Sequence, residues 1–160
     1  MNIFLYAEAL HIWKVNSMMP DPSRRFVATP IEQDLQVHRT QIRLATNDER
    51  LRDRLVAHFA STSTLGAEHS GFVLRIIVES QELDPGASVA IPVHTFELDK
   101  LGYVTIGPLG FIAYDKSERL AFSFVTTELI HQDKLLSRYF LPALESVADR
   151  MRVPATSSAS

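Results

Sequence analysis

Chemistry in this chain would have to come from histidines and carboxylates, because it contains no cysteine. That absence excludes disulfides, thiolate metal sites and cysteine nucleophiles. The six histidines are His11, His38, His58, His69, His94 and His131. No two stand in an i, i+4 relation, and none has the local spacing of a zinc site. Each is expected in a packing or surface role, with a site assembled across the fold as the alternative. Glu97 and Asp99 alternate on one strand face, and Asp115 and Glu118 flank a turn. General acid–base work needs two carboxylates that face one cavity and have separated pKa values. A solvated strand face and a turn are the expected settings. Tyr103, Phe111, Phe122 and Phe124 are of the type that stacks on bases in sheet-face RNA readers. No basic residues interleave them and the net charge is −3, so core packing is expected instead.

Motifs that would organise such residues are absent. No glycine precedes a lysine, so there is no G-x-x-x-x-G-K-[S/T] phosphate loop. G-x-G-x-x-G, G-x-S-x-G, S-x-x-K and H-E-x-x-H are missing too. The Arg24–Arg25 pair is of a type that touches phosphate, but it reads as part of a solvated loop. No catalytic, cofactor-binding or metal-binding residue is assigned, and no cofactor is expected.

The length of 160 residues suits one domain with a real core. Apolar residues make up 46 % and charged residues 22 %, the balance of a globular protein. The charge gives no reason to expect nucleic acid or an anionic membrane as partner. No run approaches the ~20 apolar residues of a membrane span. The apolar start lacks a basic n-region and carries Glu8, His11 and Lys14, unlike a signal peptide. A cytoplasmic location fits these features.

Three regions follow from the patterning: an apolar segment with a Pro-rich loop (residues 1–30), an α+β domain (31–152) and a Ser/Ala/Thr tail (153–160) that has nothing to bury. Residues 2–15 are expected to form a short helix or strand. Residues 35–45 read as a strand with Ile42 and Leu44 inward and Arg43 outward. Thr46 and Glu49 stand in the T-x-x-E relation of a capping box. Leu51, Leu55 and Phe59 follow at four-residue intervals, which predicts a core-facing helix over 47–60. After a polar loop (61–70), residues 72–80 are almost continuously apolar and β-branched, the mark of a central strand buried on both faces. A turn-rich loop (81–92) leads to a meander with strands at 95–98, 103–106, 111–114 and 120–125. The expected fold is α+β, with a mixed or mostly antiparallel sheet of about five strands and two main helices packed on one face.

Residues 132–152 predict the second main helix. Leu135, Leu136, Tyr139, Phe140, Leu144, Val147, Ala148 and Met151 recur at intervals of three and four. Pro142 costs roughly 3 kcal/mol inside a helix, so the segment is expected to be kinked or to restart near Pro142. Arg138, Tyr139, Leu141 and Met151 are the candidate interaction surface of this helix.

Ile42 to Leu51, reading I-R-L-A-T-N-D-E-R-L, with Leu55 and Phe59 beyond it, resembles the N-terminal accessory α/β region of bacterial proteins related to HPr kinase/phosphorylase. There a strand runs into an Asn-initiated helix that ends in an aromatic residue. The later part is similar to the segment leading into their kinase core: a hairpin, then a helix with an R-Y-F-L-like stretch, here Arg138 to Leu141. In that family the helix continues into a strand with a histidine and then a phosphate-binding loop with its lysine. Here Val153-Pro154 and the polar tail follow, and no residue of the family's nucleotide site has a counterpart. The resemblance therefore implies an accessory domain standing alone, without kinase activity.

The expected function is a non-catalytic protein-interaction or regulatory module, whose partner would be a separate kinase core or an operon neighbour. The alternatives are a small-ligand binder or minor enzyme, with a pocket between the sheet and the C-terminal helix, and a structural subunit that self-associates through a sheet edge.

Overall fold

The structure, a computed structural model, describes residues 27–61, 71–80 and 91–152. The N-terminal apolar segment, most of the Pro-rich loop, the loop residues 62–70 and 81–90, and the tail lie outside the described residues.

An α+β fold is built on one seven-stranded mixed sheet. Its strands are β1 (Ile31–Val37), β2 (Thr40–Thr46), β3 (Phe72–Glu79), β4 (Val93–Leu98), β5 (Leu101–Ile106), β6 (Gly110–Asp115) and β7 (Leu120–Thr126). Their order is β1-β2-β3-β7-β6-β5-β4. β2, β3 and β7 run parallel, and the other neighbours are antiparallel. The helix α1 (Glu49–Ala60) connects β2 to β3. After β7 come α2 (Thr127–His131), α3 (Asp133–Leu135), a π-helical turn (Leu136–Phe140) and α4 (Leu141–Arg150).

The apolar pattern explains the layers. In β2, Thr40, Ile42, Leu44 and Thr46 are buried while Gln41 and Arg43 are exposed, the period-2 signature of a half-buried strand. β3 lies between two parallel neighbours and is buried on both faces, as its composition predicts. One face of the sheet carries Ile42, Leu74, Val104, Ile112 and Val125, which form the main core with Leu51 and Leu55 of α1 and Leu144 and Val147 of α4. Ile77, Ala113 and Phe122 form a smaller cluster on the outer face, flanked by Val27, Tyr103, Phe111 and Phe124. Arg75 is buried among these strands, and its Nη2 donates to the carbonyl of Val27 at 2.5 Å.

Two details of the expected elements change. The segment read as a single strand over 35–45 is a hairpin, turning at His38 and Arg39 with His38 at φ 53. No Asn-Gly or Gly signal marks that turn, which is why the sheet has more strands than the sequence suggested. The cap of α1 is Asp48 and not Thr46: an Asp48 carboxylate oxygen accepts the Leu51 N–H at 2.7 Å. Thr46 is still the buried last residue of β2, and its Oγ1 accepts the Asp48 N–H at 3.3 Å. Asn47 then clamps β3 from the side. Its Nδ2 donates to Val78 O at 3.0 Å and its Oδ1 accepts Val78 N–H at 2.8 Å.

The C-terminal segment is continuous helical backbone from Asp133 to Arg150, and Pro142 follows closely on the π-helical turn. Four residues back, the Arg138 carbonyl would meet the proline ring in a regular helix. The wider π-helical turn gives that carbonyl room.

Candidate functional site

Chemistry-bearing side chains converge where β4 meets α4. On the core-facing side of the sheet, the strand register lines up Glu97, Gly102, Tyr114 and Ala121 across β4, β5, β6 and β7. Gly102 has no side chain, so the Tyr114 ring lies over β5, and a Cβ at residue 102 would collide with that ring. The phenol of Tyr114 reaches Glu97 and donates to its Oε2 at 2.7 Å. Lys116 Nζ donates to Glu97 Oε1 at 2.5 Å, and Arg150 Nη1 to Oε2 at 3.1 Å. One carboxylate thus ties the edge strand β4 to β6, to the β6–β7 turn and to α4.

The electrostatics follow from these bonds. Hydrogen bonds from Lys116 and then Tyr114 hold the Glu97 carboxyl down at about 2, well below the ordinary carboxylate range. Burial, reinforced by the bond to Glu97, pushes the Tyr114 phenol well up. The Glu97 bond also raises Arg150. A general acid or base works best with a pKa near the operating pH. Here the carboxylate is fixed ionised and the phenol fixed neutral. The arrangement suits a clamp, not proton transfer.

Three histidines that looked isolated in the sequence each meet a carboxylate on another element. His38 Nδ1 lies 3.4 Å from Asp149 Oδ1, His58 Nε2 3.4 Å from Glu145 Oε1, and His131 Nε2 3.5 Å from Asp48 Oδ2. His94 is exposed on β4, and His11 and His69 lie outside the described residues. His38, Ser146 and Asp149 share an open groove of about 520 Å³ beside Pro142, Glu145 and Arg150. These are the residue types of a nucleophilic triad, but the triad needs a hydrogen bond between nucleophile and base. Ser146 Oγ instead accepts from Arg150 Nε at 3.5 Å, and among the described residues no hydrogen bond joins it to His38.

A second cavity of about 210 Å³ lies on the sheet beside the 3₁₀ turn Gly107–Leu109, between Glu79, Thr105, Phe124 and Thr126. It does not lie between the sheet and the C-terminal helix, where the small-ligand alternative would place its pocket. It is also smaller than the ~300–1,000 Å³ of a usual small-molecule pocket.

The candidate interaction surface on the C-terminal helix is largely not a surface. Met151 is fully buried and Leu141 is buried, both in the main core. Met151 follows the last residue of α4, where its side chain still falls on the core-facing stripe. Its carbonyl accepts a hydrogen bond from Arg119 Nη1. Tyr139 is half-buried against the core, with Arg138 exposed and its guanidinium 5.5 Å from the Tyr139 ring centroid.

Exposed apolar surface collects elsewhere. Among the described residues the exposed large hydrophobic side chains are Val56, Val93, Phe96 and Leu98, and three of these four belong to β4. Those three are 46 %, 44 % and 58 % exposed, respectively, on a strand that has a neighbour on one side only among the described strands. Phe96 stacks on Tyr103 of β5, with centroids 5.5 Å apart and planes at 24°. The sequence shows the strand but not that it ends the sheet. No helix among the described residues is long and apolar enough to cross a membrane. Comparison of the chain with family models, curated proteins and solved structures finds no match.

Proposed function

We propose that the chain is a non-catalytic protein-interaction or regulatory module that presents the sheet edge β4 to a protein partner in the cytoplasm. The observation that carries this reading is that every residue of β4 is exposed, Val93, Phe96 and Leu98 among them. A sheet edge that exposes apolar side chains is a template for pairing with another strand. The Glu97 clamp to Tyr114, Lys116 and Arg150 supports the same reading, because it holds the edge rigid for a partner without itself being poised for proton transfer.

The resemblance to the accessory region of HPr kinase-like proteins supplies the class of heterologous partner, a separate kinase core with its own phosphate-binding loop. The test is purification of the tagged chain from its own cells beside its Phe96→Lys variant. A protein that co-elutes in stoichiometric amount with the parent and is lost with the variant is the expected result. A partnerless monomer in both preparations would remove the reading.

A further inference from the structure

The outer face of the sheet, opposite the helices, is aromatic over half its width. Strand register sets Arg75, Phe122, Ala113, Tyr103 and Phe96 in one row across β3, β7, β6, β5 and β4. A second row holds Ile77, Phe124, Phe111 and Thr105. Phe122 meets Phe124 edge to face with centroids 5.1 Å apart, and Phe111 lies 6.1 Å from Phe124. A sheet face built for water carries polar side chains at its outward positions, and β6 and β7 place these phenylalanines there instead. Toward β1 and β2 the same face turns polar, where Asp34 pairs with Arg43. No residue of a described helix belongs to the outer cluster.

The chain delivers its own cover to this face. Val27 packs against the cluster of Ile77, Ala113 and Phe122, and its carbonyl accepts the Arg75 guanidinium of the first row at 2.5 Å. Residues 1–26 therefore join the described chain on the outer face, and not on the helix side. Within residues 2–15, every side chain except Asn2, Glu8, His11 and Lys14 is apolar or aromatic. Residues 16–26 link that stretch to Val27. At about 3.3 Å per residue the extended link reaches roughly 36 Å. Six strand spacings of about 4.8 Å make the whole sheet only roughly 29 Å wide. The stretch can thus lie over any of these strands.

We propose that residues 2–15 dock on the outer face of their own sheet as a third layer, with their apolar side chains against Phe111, Phe122 and Phe124. The inference goes beyond the interaction-module reading and stands apart from it, because it concerns the face of the sheet and not the edge β4. The segment of a second copy carries the same side chains. The chain's own segment is tethered at Val27, however, and a short flexible link gives it an effective concentration in the millimolar range. Docking also removes from water a contiguous apolar face of the kind that otherwise marks a binding surface.

Trp13 is the one tryptophan and the chain has no cysteine, so the full chain reports on this segment and takes a label at one introduced thiol. Trp13 of the parent should emit to the blue of the urea-unfolded chain and resist quenching by acrylamide. Phe124→Lys sets a charge among the rings. It should shift the emission to the red and raise the quenching, with the far-ultraviolet spectrum unchanged. Val56→Lys, on an exposed site of α1, should leave both readings as they are. If Phe124→Lys does not fold, labelled chains remain decisive. A nitroxide on Ala45→Cys, beside Arg75, or on Phe96→Cys, at the far end of the row, should quench Trp13 at every dilution. A nitroxide on Ala57→Cys, exposed on α1, should not. A water-exposed Trp13 in the parent overturns the proposal, as does quenching from residue 57 or from neither outer-face label. Labelled chains that carry Trp13→Phe, mixed with unlabelled parent, test the second copy. Quenching in that mixture would place the segment on a neighbouring chain and overturn the proposal. The partner test on β4 reads a different residue, so either conclusion can fail without the other.

Discussion

Tyr114 and Glu97 meet across a strand whose glycine leaves room for the tyrosine ring. Their 2.7 Å hydrogen bond spans β5 because Gly102 stands where any other residue would fill the gap. Through it the edge strand is tied to an interior strand by a side chain as well as by the β4–β5 ladder. With Arg150 on the same carboxylate oxygen, the edge is also anchored to α4.

Acid should therefore loosen this corner. The folded carboxyl of Glu97 sits at about 2, below its ordinary 4.5, so the fold favours the ionised form. Such a group contributes stability above its unfolded pKa, and that contribution is lost as pH falls through the folded one. Urea midpoints measured between pH 4.5 and 2 should fall more steeply for the parent than for Glu97→Gln. Equal slopes would show that the clamp carries no linkage.

Gly102→Ala should destabilise by overpacking, at a cost of about 1–3 kcal/mol in a denaturant titration. Replacing Tyr114 by a smaller residue removes the ring that the new methyl would strike. The double variant Gly102→Ala/Tyr114→Leu should therefore cost less than the sum of its parts. Strict additivity would mean that the ring does not lie over residue 102.

Much of this architecture could be read from local pattern. The apolar run of β3 and the four-residue spacing of Leu51, Leu55 and Phe59 each report burial that the residue itself experiences. An irregularity near Pro142 was legible because proline acts on its own turn, and it takes the form of the π-helical turn just before it. The Glu97 clamp was not. Its partners lie 17, 19 and 53 residues away, and beside Asp99 the carboxylate looks like half of a solvated strand face. The hairpin at His38 and Arg39 escaped for a different reason, since its positive φ falls on a histidine and not on the glycine or asparagine that announces such turns.

Helix capping offers a sharper test of local reading. Asp48→Ala should cost about 1 kcal/mol, because it strips the acceptor from the Leu51 N–H. Glu49→Ala should cost only a few tenths, through the first-turn charge alone. A reversed order in thermal or urea unfolding would restore the capping box built on Thr46 and Glu49.

Met151 and Tyr139 separate core from surface on the C-terminal helix. Met151→Ala empties a fully buried site and should cost about 2–5 kcal/mol. Tyr139→Ala, at a half-buried position, should cost clearly less. A Met151→Ala chain with parental stability and altered association would return that residue to the surface.

The strand order has a consequence for the history of the molecule. β1, β2 and β3 are successive neighbours in the sheet, and β4 to β7 pair as a meander of successive hairpins. Among the ladders of the sheet, the parallel one from Val73–Leu120 to Glu79–Thr126 joins the two halves. That seam closes the longest loop in the sheet, so its closure entropy falls on a single event late in folding. On a ribosome, β3 is finished well before β7 exists. Throughout the synthesis of the meander, the most apolar of the described strands waits with one side bare.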